Sequence, residues 1–311
     1  MAVNVLRSID ALTALRGPLV LAVGVFDGFH LGHQAVVGRA IADASAARGL
    51  AVALTFDPHP AAILRPESAP SLLTSTRHKL QLLAQAGVQH ALVVEFTREF
   101  ASKPPEVFIR ELAAACSPLA EICVGEDWAF GKGRSGNLAS LIALGRTLGF
   151  TAVGIPAVAV DGKSVSSTGI RAAVEQGELA FVAQLLGRDF SVLGTVIEGR
   201  KLGRTLGFPT ANVRPESEQL PPNGVYAVRA AIDGKSHPGI ANVGVRPTVS
   251  SECTQRLIEV HLFDFAEEIY GRDIEVFFMR FVRPEQKFPS LDALRAQIAC
   301  DVASVRIAHR C

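Results

Sequence analysis

The sequence predicts an α/β protein in two parts: a parallel sheet covered by helices over residues 1–186, then a small antiparallel β-barrel with a C-terminal helix over residues 187–311. Three observations lead there. In the first part, short apolar runs alternate with stretches of helical periodicity, the pattern of βαβ units. Beyond Gly187–Asp189 the runs are separated by Gly, Pro and Asn turns with no helix between them, as in antiparallel sheets and small barrels. The chain of 311 residues is also about twice the length of an ordinary domain.

In order along the chain, Leu19–Val25, Leu50–Phe56, Ala91–Phe96, Glu121–Val124 and Thr151–Ile155 read as buried strands. Between them Val36, Val37, Ala40, Ile41 and Ala44, and later Leu138, Leu141, Ile142 and Leu148, recur at helical spacing. In the second part Ser191–Glu198, Val225–Ile232, Ile240–Val245, Arg256–Phe265 and Ile274–Val282 read as strands. Turns such as Pro221-Pro222-Asn223-Gly224 and Asp233-Gly234 separate them. The last helix places Leu291, Leu294, Ile298, Val302 and Val305 on one face, with Ser290 as its N-cap.

Composition removes several classes of function. Lys and Arg number 31 against 30 Asp and Glu, a net charge of +1. A chain so balanced lacks the basic excess of a general nucleic-acid or membrane-surface binder. No apolar run reaches the roughly 18–20 residues of a membrane helix. The run Leu19–Phe26 leads straight into Asp27, and Arg7, Asp10 and Arg16 interrupt any secretory core. Cys116, Cys123, Cys253, Cys300 and Cys311 are odd in number, scattered and without a CxxC. Neither a zinc site nor a disulfide framework is expected, and the chain reads as a reduced, cytoplasmic protein.

The first chemistry-bearing segment is Gly24-Val25-Phe26-Asp27-Gly28-Phe29-His30-Leu31-Gly32-His33, between a strand and a helix. Ligands bind at the carboxyl ends of parallel strands. Gly32 lets the backbone approach a bulky anion, and the helix that follows points unpaired N–H groups at it. The two imidazoles can donate hydrogen bonds to phosphate oxygens whether neutral or charged. Three more segments fall at other strand ends: Thr55-Phe56-Asp57-Pro58-His59-Pro60, the stretch from Gly125 to Asn137, and Val165-Ser166-Ser167-Thr168-Gly169-Ile170-Arg171. Hydroxyls and an Arg at a helix start form a second oxyanion cradle, although read alone the hydroxyls also fit a helix N-cap.

The second is Gly199-Arg200-Lys201-Leu202-Gly203-Arg204-Thr205-Leu206-Gly207-Phe208-Pro209-Thr210-Ala211-Asn212. Its glycines allow a tight or mobile backbone and its basic residues suit phosphate, though the order is not that of a Walker A loop. Thr210 and Asn212, two apart on an extended segment, share one face and can complete the oxygen shell of a Mg²⁺ held by phosphates. A basic surface turn leading into a strand fits the same residues. On the strand Arg256–Phe265, Ile258, Val260 and Leu262 alternate on one face and place Glu259 and His261 on the other. Facing a nucleotide, Glu259 can orient or deprotonate a hydroxyl; facing solvent, it is an ordinary strand residue.

The HxGH turn and the Ser-Ser-Thr-x-Ile-Arg segment resemble the nucleotidyltransferase superfamily. With TFDPHP and the Gly125–Asn137 segment, the first part resembles the adenylyltransferase module of bacterial bifunctional riboflavin kinase/FMN adenylyltransferases. Gly-Phe-Pro-Thr-Ala-Asn, Asn223-Gly224-Val225-Tyr226, Asn242–Thr248, Glu259 with Tyr270-Gly271, and Phe288–Asp292 resemble the kinase module, in the family's order. The resemblance implies a Rossmann-like nucleotidyltransferase domain followed by an antiparallel barrel. It implies ATP contacts from Gly24, Phe26, Asp27, His30, Gly32 and His33, the two histidines also serving the transition state. Ser166, Ser167, Thr168 and Arg171 would hold the triphosphate. Phe56, Asp57 and Pro58 would lie near the flavin, and Asp127 beside the flavin, nucleotide or metal. In the kinase it implies ATP contacts from Gly199, Lys201 and Gly203, Mg²⁺ and ATP on Thr210 and Asn212, and Glu259 as the base. Asn137 stands where the family usually has an acidic residue.

The implied reactions are transfer of the γ-phosphoryl of ATP to riboflavin, giving FMN, and attack of FMN on the α-phosphorus of a second ATP, giving FAD and pyrophosphate. The expected partners are therefore small molecules, with Mg²⁺ and ATP, and neither nucleic acid nor membrane. Two alternatives stay open at this point: a riboflavin kinase with an impaired adenylyltransferase half, motivated by Asn137, and a flavin-binding module without turnover.

Overall fold

The computed structural model describes residues 3–199, 202–246 and 255–308. Two compact units are present, one of Met1–Pro70 with Thr76–Ser167 and one of Ser71–Ser75 with Thr168–Cys311.

The first unit holds the strands β1 (Asn4–Leu6), β2 (Leu19–Val23), β3 (Leu50–Asp57), β4 (His90–Glu95), β5 (Leu119–Gly125) and β6 (Thr151–Ile155). They form one parallel sheet in the order β1-β4-β3-β2-β5-β6, and a short hairpin, β7 (Ala159–Val160) with β8 (Lys163–Ser164), follows. Its helices are α1 (Leu31–Ala46), α2 (Pro60–Leu64), α3 (Thr76–Gln85), α4 (Arg98–Ala101), α5 (Pro105–Ala115) and α6 (Leu138–Leu148). The apolar runs read as strands because both faces of the central strands are covered. Along β2 the side chains alternate between two cores. Leu19, Leu21 and Val23 pack with Ile109 and Leu112 of α5 and Leu141 of α6, while Val20 and Ala22 pack with Val37 and Ala40 of α1 and Leu83 of α3.

Three differences from the sequence reading have structural causes. β2 stops at Val23 rather than Val25, because the chain turns at Gly24 and Phe26 takes a left-handed φ of 56°. β6 is an edge strand and is only half-buried, and β1 is too short to show any periodicity.

The second unit begins with two helices, α7 (Ser167–Glu175, its first residue belonging to the first unit) and α8 (Leu179–Leu186). β9 (Phe190–Ile197), β10 (Ala211–Pro215), β11 (Gly224–Ile232), β12 (Lys235–Arg246), β13 (Gln255–Leu262) and β14 (Asp273–Arg283) then close an antiparallel barrel in the order β10-β13-β12-β11-β14-β9. The Asp233-Gly234 turn joins β11 to β12 with positive φ at both positions (48° and 78°), as a two-residue hairpin requires. β13 ends at Leu262, short of Phe265, where Asp264 turns with a φ of 54°. One helical turn, α9 (Leu202–Thr205), interrupts the strands where no helix was expected.

The last helix, α10 (Leu291–Ala308), is capped by Ser290, whose Oγ accepts from the N–H of Ala293 (3.1 Å). Val302 and Val305 pack on Val225, Ala227 and Ile240. Leu291 does not join that face: it lies in the first turn and is 59% exposed. The units part at Ser167/Thr168, about a helical hairpin before residue 187, because α8 packs on β9 and β14. The second unit also takes in Ser71–Ser75. The N–H of Gln219 donates to the Leu72 carbonyl (3.1 Å), and Ser75 Oγ donates to Glu216 (2.7 Å).

Asn137 is the N-cap of α6: its Oδ1 accepts from the N–H of Ser140 (3.0 Å) and its own N–H donates to Ser140 Oγ (2.9 Å). Asn and Asp cap equally well, whereas Ala loses the side-chain acceptor. Asn137→Ala should therefore lower the stability of the first unit by about 1 kcal/mol, and Asn137→Asp should leave it unchanged. The urea midpoint followed by fluorescence of Trp128, the one tryptophan of the chain, reads this out.

Candidate functional sites

Strand order reverses between β2 and β5, so the chain leaves the two strands in opposite directions. A crevice at the carboxyl ends of the strands is the consequence. A cavity of about 700 Å³ opens there. It is lined by Val23–Phe26 after β2, Phe56 on β3, Gly125 and Asp127–Gly131 after β5, and Ile155–Val158 after β6.

The turn after β2 is tightly built. Phe26 and Phe29 both take left-handed backbone conformations (φ 56° and 41°), a strain that such turns store at functional sites. A Cβ at Gly24 would lie 2.7 Å from the Phe26 ring, so only glycine fits. His30 is the N-cap of α1, its Nδ1 accepting from the N–H of His33 (3.4 Å), which leaves Nε2 to donate. The two imidazoles stack with centroids 3.6 Å apart, and the edge of Phe26 meets His33 at 5.4 Å. Burial, then the neighbouring His30 and Lys79, holds His33 well below the usual histidine range, so it is neutral near pH 7. Two imidazole donors at the start of a four-turn helix suit polyphosphate, which brings its own negative charge.

The structure gathers Gly24, Phe26, His30, Gly32, His33, Phe56, Asp127, Ser166 and Ser167 on this one cavity. Ser167 Oγ donates to the carbonyl of Asp27 (2.9 Å). Asp27 itself is 2% exposed and lies beneath the surface. Asp57 and Pro58, joined by a cis peptide, are not on the lining. Thr168 and Arg171 are also off it and belong to the second unit, where Arg171 Nε donates to the Ser71 carbonyl (2.7 Å). Sequence reasoning missed Phe96, Phe100 and Phe108, whose rings meet edge to face (5.6 and 5.4 Å) along one wall. Their signal is the helical spacing of Phe96 and Phe100 directly after a strand.

In the second unit, cross-strand register places Asn212 on β10, Glu259 on β13 and Asn242 on β12 in one row. Ile258 and Val260 point the other way and are wholly buried. Two glycines before β10, Gly199 and Gly203, approach polar side chains closely. A Cβ at Gly199 would come within 2.1 Å of Asn212 Nδ2, and one at Gly203 within 3.1 Å of Thr210 Oγ1. Asn212 is 5% exposed, and its Oδ1 is buried with no hydrogen-bond partner among the described residues. Lys201 lies outside the described residues. Thr210 also borders a cavity of about 320 Å³ with Arg204, Val260 and Tyr270. Beside the row, Glu285 accepts from the side-chain amides of Asn242 (3.1 Å) and Asn223 (3.4 Å). No motif in the sequence pointed to Glu285.

Comparison with known proteins gives the two parts separate matches. Residues 13–169 match the FAD synthetase family and residues 186–309 the riboflavin kinase family. Over 289 residues, 92% of this chain and 91% of the relative, the sequence is 40% identical to the bifunctional riboflavin kinase/FMN adenylyltransferase of Escherichia coli K12. The chain belongs to this family. The bifunctional riboflavin kinase/FMN adenylyltransferase of Haemophilus influenzae is 38% identical over 92% of each chain. Among solved structures, one described as a macrolide-efflux protein from Streptococcus pneumoniae has the same fold, with a TM-score of 0.82, 27% identity and 97% coverage of each chain. Among the described residues of this riboflavin kinase/FMN adenylyltransferase, no helix is long and apolar enough to cross a membrane. The enzyme phosphorylates riboflavin to FMN and adenylylates FMN to FAD, with ATP as co-substrate of both steps.

The glycine contacts yield a direct test. Gly199→Ala must displace the Asn212 amide, and FMN formation from riboflavin should fall at least tenfold, on the order of the 1.4 kcal/mol that such a factor represents. FAD formation from supplied FMN, measured by chromatography on the same sample, should not change.

Proposed function

We propose that adenylyl transfer is carried by residues 1–186 and riboflavin phosphorylation by residues 187–311, each through positioning and charge neutralisation with no covalent enzyme intermediate. The observation that carries the reading is the stacked His30–His33 pair at the start of α1, inside the cavity at the strand-order reversal.

In the adenylyltransferase, the imidazoles and the N–H groups of α1 donate to the phosphates of ATP. They strengthen those bonds as charge builds on the α-phosphorus. Gly24, Phe26 and Gly32 let the nucleotide approach the backbone, and Ser166 and Ser167 hold the triphosphate. The flavin ring lies against the aromatic wall that includes Phe56, with Asp127 at the nucleotide side. In the kinase, Gly199, Lys201 and Gly203 cover the ATP phosphates. Glu259 takes the proton of the ribityl 5′-hydroxyl as that oxygen attacks the γ-phosphorus and the bond from that phosphorus to the β–γ bridging oxygen breaks, releasing ADP.

Thr210 and Asn212 hold Mg²⁺ in this reading. The partnerless, buried Asn212 Oδ1 fits that role, since a buried acceptor needs a donor or a cation. Bound there with ATP, Mg²⁺ supplies positive charge to the phosphate oxygens. The balanced charge and the free Cys116, Cys123 and Cys300 support a cytoplasmic enzyme whose partners are small molecules rather than nucleic acid or membrane.

Supplied with riboflavin, ATP and Mg²⁺, His30→Ala or His33→Ala should form FMN normally. Either variant should form FAD about 100-fold or more slowly, the 3–4 kcal/mol typical of a lost transition-state donor. Glu259→Gln and Asn212→Ala should abolish FMN formation and keep FAD formation from supplied FMN. An unchanged FAD rate in both histidine variants would remove them from the mechanism.

A further inference from the structure

α3 carries a lysine on its apolar face. Leu82 and Leu83 on that face are buried in the core shared with α1, and Lys79, one turn earlier, is 4% exposed. A buried ammonium costs several kcal/mol unless it is paired and hydrogen-bonded. Its Nζ donates to Oγ1 of the fully buried Thr55 (3.3 Å), and that hydroxyl donates on to the Val25 carbonyl (2.9 Å). Two carboxylates attract it: Asp27, in the turn between Val25 and His30, and Asp57, at the end of β3. These are the segments that bring the imidazoles and Phe56 to the cavity, and Lys79 is not on the lining itself.

We propose that Lys79 is a positioning residue for adenylyl transfer. Its buried charge clamps the turn after β2 to the end of β3 through Asp27, Thr55 and Asp57, and so fixes the two imidazoles against the nucleotide. The proposal rests on the roles given above to His30 and His33. The groups facing Lys79 are Asp27 and Asp57 and, on α1, His33 with His30 stacked upon it. His78, its neighbour on α3, is buried, and Glu95 on β4, the register partner of Asp57, is exposed. Burial lowers the ammonium to about 8 against the pull of the two carboxylates. The clamp is therefore charged at pH 7 and loses its charge as pH rises through that value.

The test uses the full chain, with FMN formation from riboflavin as the internal standard. Lys79→Met keeps the apolar stem and removes the charge. FAD formation from supplied FMN should fall at least tenfold in kcat with the standard unchanged. The wild-type enzyme should lose FAD formation above about pH 8, and Lys79→Met should lack that alkaline limb. A wild-type profile flat to pH ~9.5, a full rate in Lys79→Met, or an alkaline limb retained by it overturns the proposal, since the limb belongs to the lysine's own proton. Should Lys79→Met not fold, Thr55→Val removes only the bridging hydroxyl and must show the same fall; a wild-type rate there overturns the clamp. His33→Ala is measured alongside. A full FAD rate in His33→Ala sinks the role of the histidines, whereas a slow His33→Ala beside a fast Lys79→Met sinks only the role of Lys79.

Discussion

The reversal of strand order between β2 and β5 is the constraint on which the proposed adenylyltransferase site depends. A parallel sheet must send each strand's return connection over one face or the other. Where the direction of travel changes, neighbouring connections part and leave a crevice that no side chain of the sheet can fill. Every group assigned to phosphate or flavin in this unit and present on the cavity lies near or beyond the carboxyl end of a strand bordering that crevice or one of its neighbours. The site is thus paid for by topology, and the local sequence needs only to supply a turn narrow enough to aim two imidazoles.

The kinase unit solves the same problem without a crevice of that kind. A closed barrel has no edge and no switch point. Its polar row comes from register instead: three strands in phase place Asn212, Glu259 and Asn242 side by side. Close packing of glycine on Asn212 and Thr210 then determines how near a loop can come. In the first unit backbone strain at Phe26 and Phe29 shapes the site, and in the second the absence of a Cβ does.

Much of this was legible in the sequence because it is written in periodicity and punctuation. Strands buried on both faces appear as unbroken apolar runs, and the β11–β12 hairpin announces itself by its Asp233-Gly234 turn. The residues that remained hidden break those patterns. β1 is three residues long and takes its identity from pairing with β4. Leu291 has the right spacing but sits in a helix's first turn, beyond the surface that α10 covers. Lys79 occupies an apolar position with a charged side chain, so periodicity alone counts it as an error in the stripe. Glu285 follows a strand end with no motif around it, and only the fold brings it to Asn242. Asn137 reads as a lost charge in sequence and as a well-made helix cap in space.

The five residues Ser71–Ser75 have a practical meaning for anyone dividing this enzyme. They stand before α3 in the chain, yet hydrogen bonds join them to Arg171, Glu216, Glu218 and Gln219. A gene fragment that starts at residue 187 would shed this strap together with α7 and α8, uncovering the sides of β9 and β14 on which α8 packs. The boundary proposed for the kinase activity at residue 187 and the boundary of the compact unit are therefore different cuts, and an expression plasmid designed around the first would encode an incomplete second.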